Sequence, residues 1–380
     1  MQKKTLLYIF GIASFLGLVL GTGFFANELR IKIIQGPDKN QLAAETSQLN
    51  LSVLDKLSNK NAATPSVPNA NAPKTPNMPA PAEAVSPTPT ENISPNPKTN
   101  PEINPLVTAE KNDSFSFAIL GDTQKFDSSN NEGGLQKAVK NIVEKNVGVV
   151  MTEGDLLGSC DGGSGCEKKL GEWKNALGAL YSKTYEMMGD NDRTGGEKAD
   201  ALWQKFFDLP QNGPEGYKEL SYSFDFQNSH FVVLNSEKPK EHTVDKVQRD
   251  WLDQDLSTNT KDNTFVFFHE PAYPVSSKID ESLDADKTNR DALWQILKDR
   301  KVTAVFNGHE HIASRKRIDG IYQFVFGNTD SLDNELPKTG MVDYSYQGKH
   351  YGIVDVSGKE VTVNVYSVDG SSLDSYKIPN

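Results

Sequence analysis

Five short apolar runs, each leading into a polar tail, restrict what this chain can fold into. FSFAIL runs into Gly121-Asp122-Thr123-Gln124, VGVVM leads to Gly154-Asp155, and TYEMM leads to Gly189-Asp190-Asn191-Asp192. FVFF is followed by His269-Glu270-Pro271, and VTAVF leads to Gly308-His309-Glu310-His311. Runs this short, ended by glycine, proline and polar residues, read as buried strands. Such strands belong to α/β sheets, which build their sites at the C-terminal ends of the strands. Three of the chain's six histidines, His269, His309 and His311, fall in these tails. The order Asp, Asp, Asp/Asn, His and His-x-His supplies hard and borderline donors suited to two divalent metals.

The segments between these runs alternate helix and strand. Helical spacing of apolar residues predicts helices over 135–145, 167–181, 197–207, 244–256 and 290–298. Strands are predicted for YSFDF from Tyr222, HFVVLNS from His230, IYQFVFG, HYGIVDV and VTVNVYSV, followed by a β tail to Ile378. Ser357-Gly358 and Asp369-Gly370 mark turns. A first half of β-α units and a β-rich second half predict an α/β (α+β) fold. Its expected form is two stacked mixed β-sheets flanked by helices, spanning 113–380.

The first 112 residues read differently. Thr5 to Ala26 is an uncharged apolar run of 22 residues, long enough to cross a bilayer core of ~30 Å as a helix. A cleaved signal peptide would show a shorter apolar region and a small-x-small exit, whereas this exit carries Phe24. Residues 1–26 are therefore expected to be an uncleaved single-pass anchor. Lys3 and Lys4 keep its N-terminus inside, which makes the C-terminal domain extracytoplasmic. Residues 27–59 form a juxtamembrane segment with a leucine stripe. Twelve of the chain's 20 prolines lie between Pro65 and Pro105. Residues 60–112 are thus expected to be a disordered, partly polyproline-II linker, of which 60–107 would reach at most roughly 150 Å at ~3.1 Å per residue. The net charge of −11, with no basic cluster in the globular region, argues against nucleic acid as a partner. Cys160 and Cys166 are the only cysteines, and the glycine-rich loop between them predicts a disulfide in an oxidising compartment.

The ordered set of five motifs resembles the calcineurin-like metallophosphoesterase superfamily over roughly residues 114–370. The resemblance implies a four-layer αββα sandwich with a two-metal site and a phosphoester as substrate. Matched motif by motif, it implies that Asp122, Gln124, Asp155 and His311 hold one metal. Asp155 as the bridge, with Asp190, His269 and His309, would hold the other. The ions implied are Mn, Fe or Zn. Such a pair, ~3.5–4 Å apart, activates a hydroxide for attack on phosphorus and clamps the phosphoryl oxygens. Arg193, just after the third motif, is a candidate for an additional phosphate contact.

Three departures from the family pattern bear on this reading. Gln124 stands where a histidine is usual, and its amide oxygen is a harder ligand. Asp190 stands where an asparagine is usual, although a one-residue shift would make Asn191 the ligand. Asn191 in turn occupies the place of the histidine that assists the leaving oxygen, and an amide is no general acid at neutral pH. Glu153, Asp192, His230 and His242 are the nearest alternative acids. Either one of these does that work, or the enzyme prefers good leaving groups or is slow; the alternative is a catalytically impaired module that binds metal and phosphate. The second motif, Gly154-Asp155-Leu156-Leu157-Gly158, lacks the tyrosine of purple acid phosphatases and the arginine of protein phosphatases.

Overall fold

In the computed structural model, the structure describes residues 114–337 and 340–379. The predicted anchor 1–26, juxtamembrane segment 27–59 and linker 60–112 lie outside the described residues. Among the described residues, no helix is long and apolar enough to cross a membrane.

The first sheet is built on β1 (Ser114–Leu120), β2 (Val149–Thr152) and the two-residue β3 (Thr184–Tyr185). These three run parallel. The antiparallel strands β11 (His350–Ser357), β12 (Glu360–Ser367) and β13 (Ser372–Lys377) extend the other side, giving the order β13-β12-β11-β1-β2-β3. The second sheet contains β4 (Tyr222–Phe226), β5 (Ser229–Val233), β6 (Asn263–Phe267), β7 (Ala304–Asn307), β8 (Ala313–Ile318), β9 (Ile321–Phe326) and β10 (Tyr344–Tyr346). Its order is β10-β8-β9-β7-β6-β5-β4, and β5, β6, β7 and β9 are parallel neighbours. Both sheets are mixed, as the pattern predicted.

Period-two alternation puts the large side chains between the sheets. Phe117 of β1 meets Phe231, Phe265, Phe267 and Phe306 of the second sheet at ring-centroid distances of 5.2, 5.1, 6.3 and 6.0 Å. The intervening residues of the second sheet, Val232, Val266 and Val305, belong to a separate cluster. They pack there with Leu252 of helix α4 (Lys246–Thr258) and with Leu293, Trp294 and Leu297 of α5 (Lys287–Asp299). Helices α1 (Gly134–Glu144) and α2 (Ser164–Leu177) bury Leu135, Ile142, Leu170 and Trp173 in the first cluster. The remaining helix, α3 (Glu197–Phe206), adds Leu202 and Trp203.

Two strands escaped the sequence reading. β8 is Ala-Ser-Arg-Lys-Arg-Ile, which lacks a convincing apolar run, yet it pairs along its whole length with β9. The Asp319-Gly320 turn, with φ of 51° and 96°, was the available signal. The three-residue β10 pairs only with β8 and had no signal of its own. The helix expected over 167–181 starts earlier, at Ser164, and passes at Leu177 into a 3₁₀ segment.

His230, one of the alternative acids, sits at the wrong end of its sheet. It pairs with Thr264 near the start of β6, whereas His269 lies beyond the end of that strand. Its ring is held between Asp225 (2.7 Å) and Asp255 (2.8 Å). Burial favours the neutral ring, but the bonds to Asp255 and Asp225 outweigh it and raise the His230 pKa. A base raised on folding contributes stability that is fully present below the unfolded value of ~6.5 and is lost as pH rises through the folded value. The urea midpoint should therefore fall between pH 6 and pH 9. In His230→Gln that fall should be smaller, and at pH 6 the variant should be less stable by about 1.5–3 kcal/mol. An unchanged pH profile would refute the assignment.

Candidate metal centre

Each strand-end tail falls where the two sheets meet. Asp122 follows β1, Asp155 follows β2, and Asp190 follows β3, three adjacent parallel strands. His269 follows β6 and His309 follows β7, adjacent parallel strands of the second sheet. Asp122, Asp155 and His309 have φ of 48°, 52° and 64°, a left-handed conformation that non-glycine residues seldom adopt. Backbone strain of this kind tends to gather at functional sites. At Gly189 a Cβ would collide with the Asp155 carboxylate, and at Gly308 one would stand 2.5 Å from Asp122 Oδ2. Only glycine lets these loops approach the carboxylates so closely.

The donors form two overlapping groups. Ligand atoms of Asp190, His269 and His309 lie within 4.8 Å of one another, as do those of Asp122, Asp155 and His269. His311 Nε2 lies 3.4 Å from Asp122 Oδ1 and 3.1 Å from Gln124 Nε2. All seven predicted ligand residues are thereby linked through atoms no more than a few ångströms apart. Gln124 Nε2 also donates to Asp155 Oδ2 at 3.1 Å, while Gln124 Oε1 is buried without a hydrogen-bond partner. A half-turn of the amide, which exchanges atoms of nearly equal size, brings that oxygen to face Asp155 and His311.

Backbone carbonyls set the histidine tautomers. His269 Nδ1–H donates to the Glu153 carbonyl at 2.6 Å, leaving Nε2 to face Asp190 (3.0 Å) and Asp155 (3.5 Å). His309 Nε2–H donates to the Glu281 carbonyl at 2.8 Å, leaving Nδ1 toward Asp190 at 3.5 Å. This is how metal-bound imidazoles are usually oriented. The Glu281 carbonyl and Ser331 Oγ, 3.3 Å from His311 Nδ1, were missed from sequence. A backbone carbonyl has no sequence signature, and Ser331 lies 20 residues from its partner.

The charge balance also fits cations. Asp122 and Asp155 are at most 1% exposed and share the site with Asp190. Burial, helped by the neighbouring aspartates, pushes the Asp155 pKa well up, with His269 opposing. Burial would do the same to Asp190, but bonds to His269 and His309 prevail and lower it. Burial alone would keep His269 neutral; the surrounding carboxylates hold its pKa well up instead. Divalent ions would relieve this crowding of buried carboxyl groups by stabilising their charged forms.

The third motif resolves into separate roles. Asp190 points at His269 and His309. Asn191 instead bonds Asp155 twice, from its backbone N–H to Oδ1 (3.0 Å) and from Nδ2 to Oδ2 (2.6 Å). Asp192 accepts backbone N–H bonds from Leu156, Leu157 and Gly189, at 3.0 to 3.1 Å, and staples the second motif to the third. Burial raises its pKa to about 6. The Arg193 phosphate contact finds no support. Its guanidinium forks onto Asp200 at 2.8 and 3.2 Å and donates to the Glu237 carbonyl at 2.8 Å.

Of the remaining alternative acids, Glu153 is fully buried, and neither carboxylate oxygen has a partner. His242 is different. Its side chain is 31% exposed, and its Nδ1 lies 2.8 Å from Glu270 Oε1, on the residue next to His269. Burial pushes the Glu270 pKa up to about 8.

The Cys160–Cys166 disulfide is present, with the Cα atoms 5.2 Å apart. It braces the third motif: Cys160 N–H donates to the Asn191 carbonyl at 2.9 Å, and Gly195 N–H donates to the Cys160 carbonyl. Replacing both cysteines by alanine should cost about 2 kcal/mol. For a domain of this size that lowers Tm by roughly 4–8 °C. Metal affinity should weaken in parallel as the Asn191–Asp155 contact loosens. An unchanged melting curve would remove this bracing role.

The sequence profile of the calcineurin-like phosphoesterase family matches residues 115–313. No curated protein matches the chain. Among solved structures, the fold is similar to a purple acid phosphatase from yellow lupin (Lupinus luteus) seeds, with a TM-score of 0.59 at 16% identity. That match covers 70% of this chain and 53% of the lupin protein, so the chain spans about half its length. It is also similar to GAP50, the anchor in the inner membrane complex of Plasmodium (TM-score 0.52, 16% identity, 70% of this chain and 88% of that one). PhoD matches with a TM-score of 0.50 at 14% identity, over 70% of this chain and 72% of that one. At these identities the likenesses establish the fold alone.

Proposed function

Since the chain belongs to the calcineurin-like phosphoesterase family, we propose that it is a metal-dependent phosphoric ester hydrolase tethered to a membrane through residues 5–26, with its globular domain outside. The observation that carries the catalytic reading is the convergence of Asp122, Asp155, Asp190, His269 and His309 into two overlapping donor groups. Two divalent ions held there would supply Lewis acidity toward a phosphoryl group and a nucleophile at neutral pH. Asp122, Gln124 and His311 would hold one, Asp190, His269 and His309 the other, with Asp155 shared. Asn191 orients Asp155, and the Glu153 and Glu281 carbonyls hold the two imidazoles in ligating tautomers.

The leaving oxygen needs a proton, and Asn191 has none of suitable acidity. His242, partly exposed and anchored by Glu270 beside His269, is the residue we assign to that step. A second reading, a binding module without turnover, is favoured by one observation: the Asn191 amide is engaged with Asp155.

A panel of aryl and alkyl phosphomonoesters and diesters, assayed with and without Mn²⁺, tests the choice. Metal-dependent turnover supports the hydrolase. About two bound metals with phosphate binding but no turnover supports the module. Fewer than one metal in folded protein sinks both. Tethering is supported by the apolar run 5–26, and the Cys160–Cys166 disulfide suits an oxidising compartment. Protease added to intact cells should release a soluble domain by cutting within 60–112; full protection would reverse the topology.

A further inference from the structure

Beside the metal centre lies a cavity of about 160 Å³ that none of the motifs accounts for. Gln124 is the residue it shares with the centre. Its inner wall is apolar: Leu156 and Leu157, which directly follow Asp155 and are buried, and the partly buried ring of Phe126. Its outer wall is charged, with Asp127 and Glu172 set against Lys169. Lys169 makes no ion pair among the described residues, whereas Glu172 pairs with Lys168 at 3.4 Å. Ser128 Oγ–H donates to Glu172 at 3.3 Å across the mouth.

We propose that this cavity is the subsite for the organic group of the phosphoester, and that it selects a compact, uncharged apolar group of about the size of a benzene ring. The assignment rests on the hydrolase reading above. Three observations carry it. The cavity adjoins Gln124, so an ester whose phosphoryl group lies at the metal centre can direct its other substituent there. A cavity of ~150 Å³ lined by aliphatic and aromatic side chains holds benzene, while ligands of nucleotide size need ~300 Å³ or more. With Glu172 already paired to Lys168, Asp127 faces Lys169 and the mouth has no net positive charge to hold a second anionic group on the substrate.

The test uses the purified full chain with Mn²⁺ and three aryl phosphates of similar leaving-group reactivity. These are phenyl phosphate, 4-(carboxymethyl)phenyl phosphate and 4-(aminomethyl)phenyl phosphate. Phenyl phosphate should have the highest kcat/KM and the carboxymethyl ester the lowest. Ser128→Trp, at an exposed position on the mouth, should lower kcat/KM for phenyl phosphate at least tenfold while inhibition by inorganic phosphate stays unchanged. Lys169→Glu should lower kcat/KM for the carboxymethyl ester by a further factor of about three, the size expected of an exposed charge pair.

If Ser128→Trp leaves phenyl phosphate hydrolysis within twofold, the organic group lies elsewhere and the subsite is wrong. Equal or faster hydrolysis of the carboxymethyl ester overturns the charge selection. Should the wild type hydrolyse none of the three but turn over other esters of the panel above, the subsite alone is overturned; turnover of no ester at all sinks the hydrolase reading, and the subsite with it.

Discussion

Replacing Asp155 by asparagine should remove most of the bound metal and lower phosphoester turnover by at least ~10²-fold. Asp155 is 1% exposed, and its oxygens receive Gln124, the Asn191 side chain and the Asn191 backbone. The two donor groups meet at His269, whose Nε2 lies 3.5 Å from Asp155 Oδ1, and the proposal above makes Asp155 the shared carboxylate. Loss of a partner that merely orients a ligand costs ~10–100-fold in metal affinity or activity. Loss of a shared ligand should reach or exceed the upper figure. The same variant gives an independent readout of folding. Metal that binds only the native state raises Tm by mass action. That rise should vanish in Asp155→Asn, while the metal-free protein should melt within a few degrees of wild type. Full turnover with full metal content would refute the shared role.

The second large effect concerns the leaving group. His242→Gln should lower turnover of alkyl phosphoesters by ~10²–10⁴-fold, the usual contribution of a positioned acid. Nitrophenyl esters, whose leaving oxygens need no proton, should change by less than ~10-fold, because the acid's contribution falls with leaving-group basicity. Asn191→Ala should behave differently. It loosens Asp155, so alkyl and aryl esters should fall together by ~10–100-fold, with weaker metal binding. If His242→Gln lowers both ester classes equally, the imidazole is structural. If it changes neither, the proton comes from another source.

These two variants separate roles that the linear motif leaves merged. Asn191 and Asp190 are neighbours in sequence, and either could be a ligand. The short 3₁₀ turn Asn191–Arg193 sends their side chains to different partners. Asp190 faces the histidines of the second sheet, Asn191 faces Asp155 of the first, and Asp192 turns under the loop to three backbone amides. Arg193 turns away to Asp200, a partner seven residues on that no motif predicted.

What the sequence determined by itself is what depends on local order. The five apolar runs carry strand burial, and the glycines and prolines after them end the strands. In parallel α/β units, strand ends converge wherever the chain enters the sheet. That is why Asp122, Asp155, His269, His309 and His311 could be read as neighbours before any fold was known. The Cys160–Cys166 pairing was legible for a similar reason, since a short glycine-rich loop restricts its own closure. The remaining features depend on contacts across many residues. His230 proved to lie at the far end of its strand because the β5–β6 register sets its depth. His309 owes its tautomer to the Glu281 carbonyl, 28 residues away. The charged strand β8 exists because β9 offers a ladder to pair with. Backbone carbonyls, strand register and the direction of a side chain within a turn have no residue-type signature. They follow from packing, which the order of residues specifies only through the whole fold.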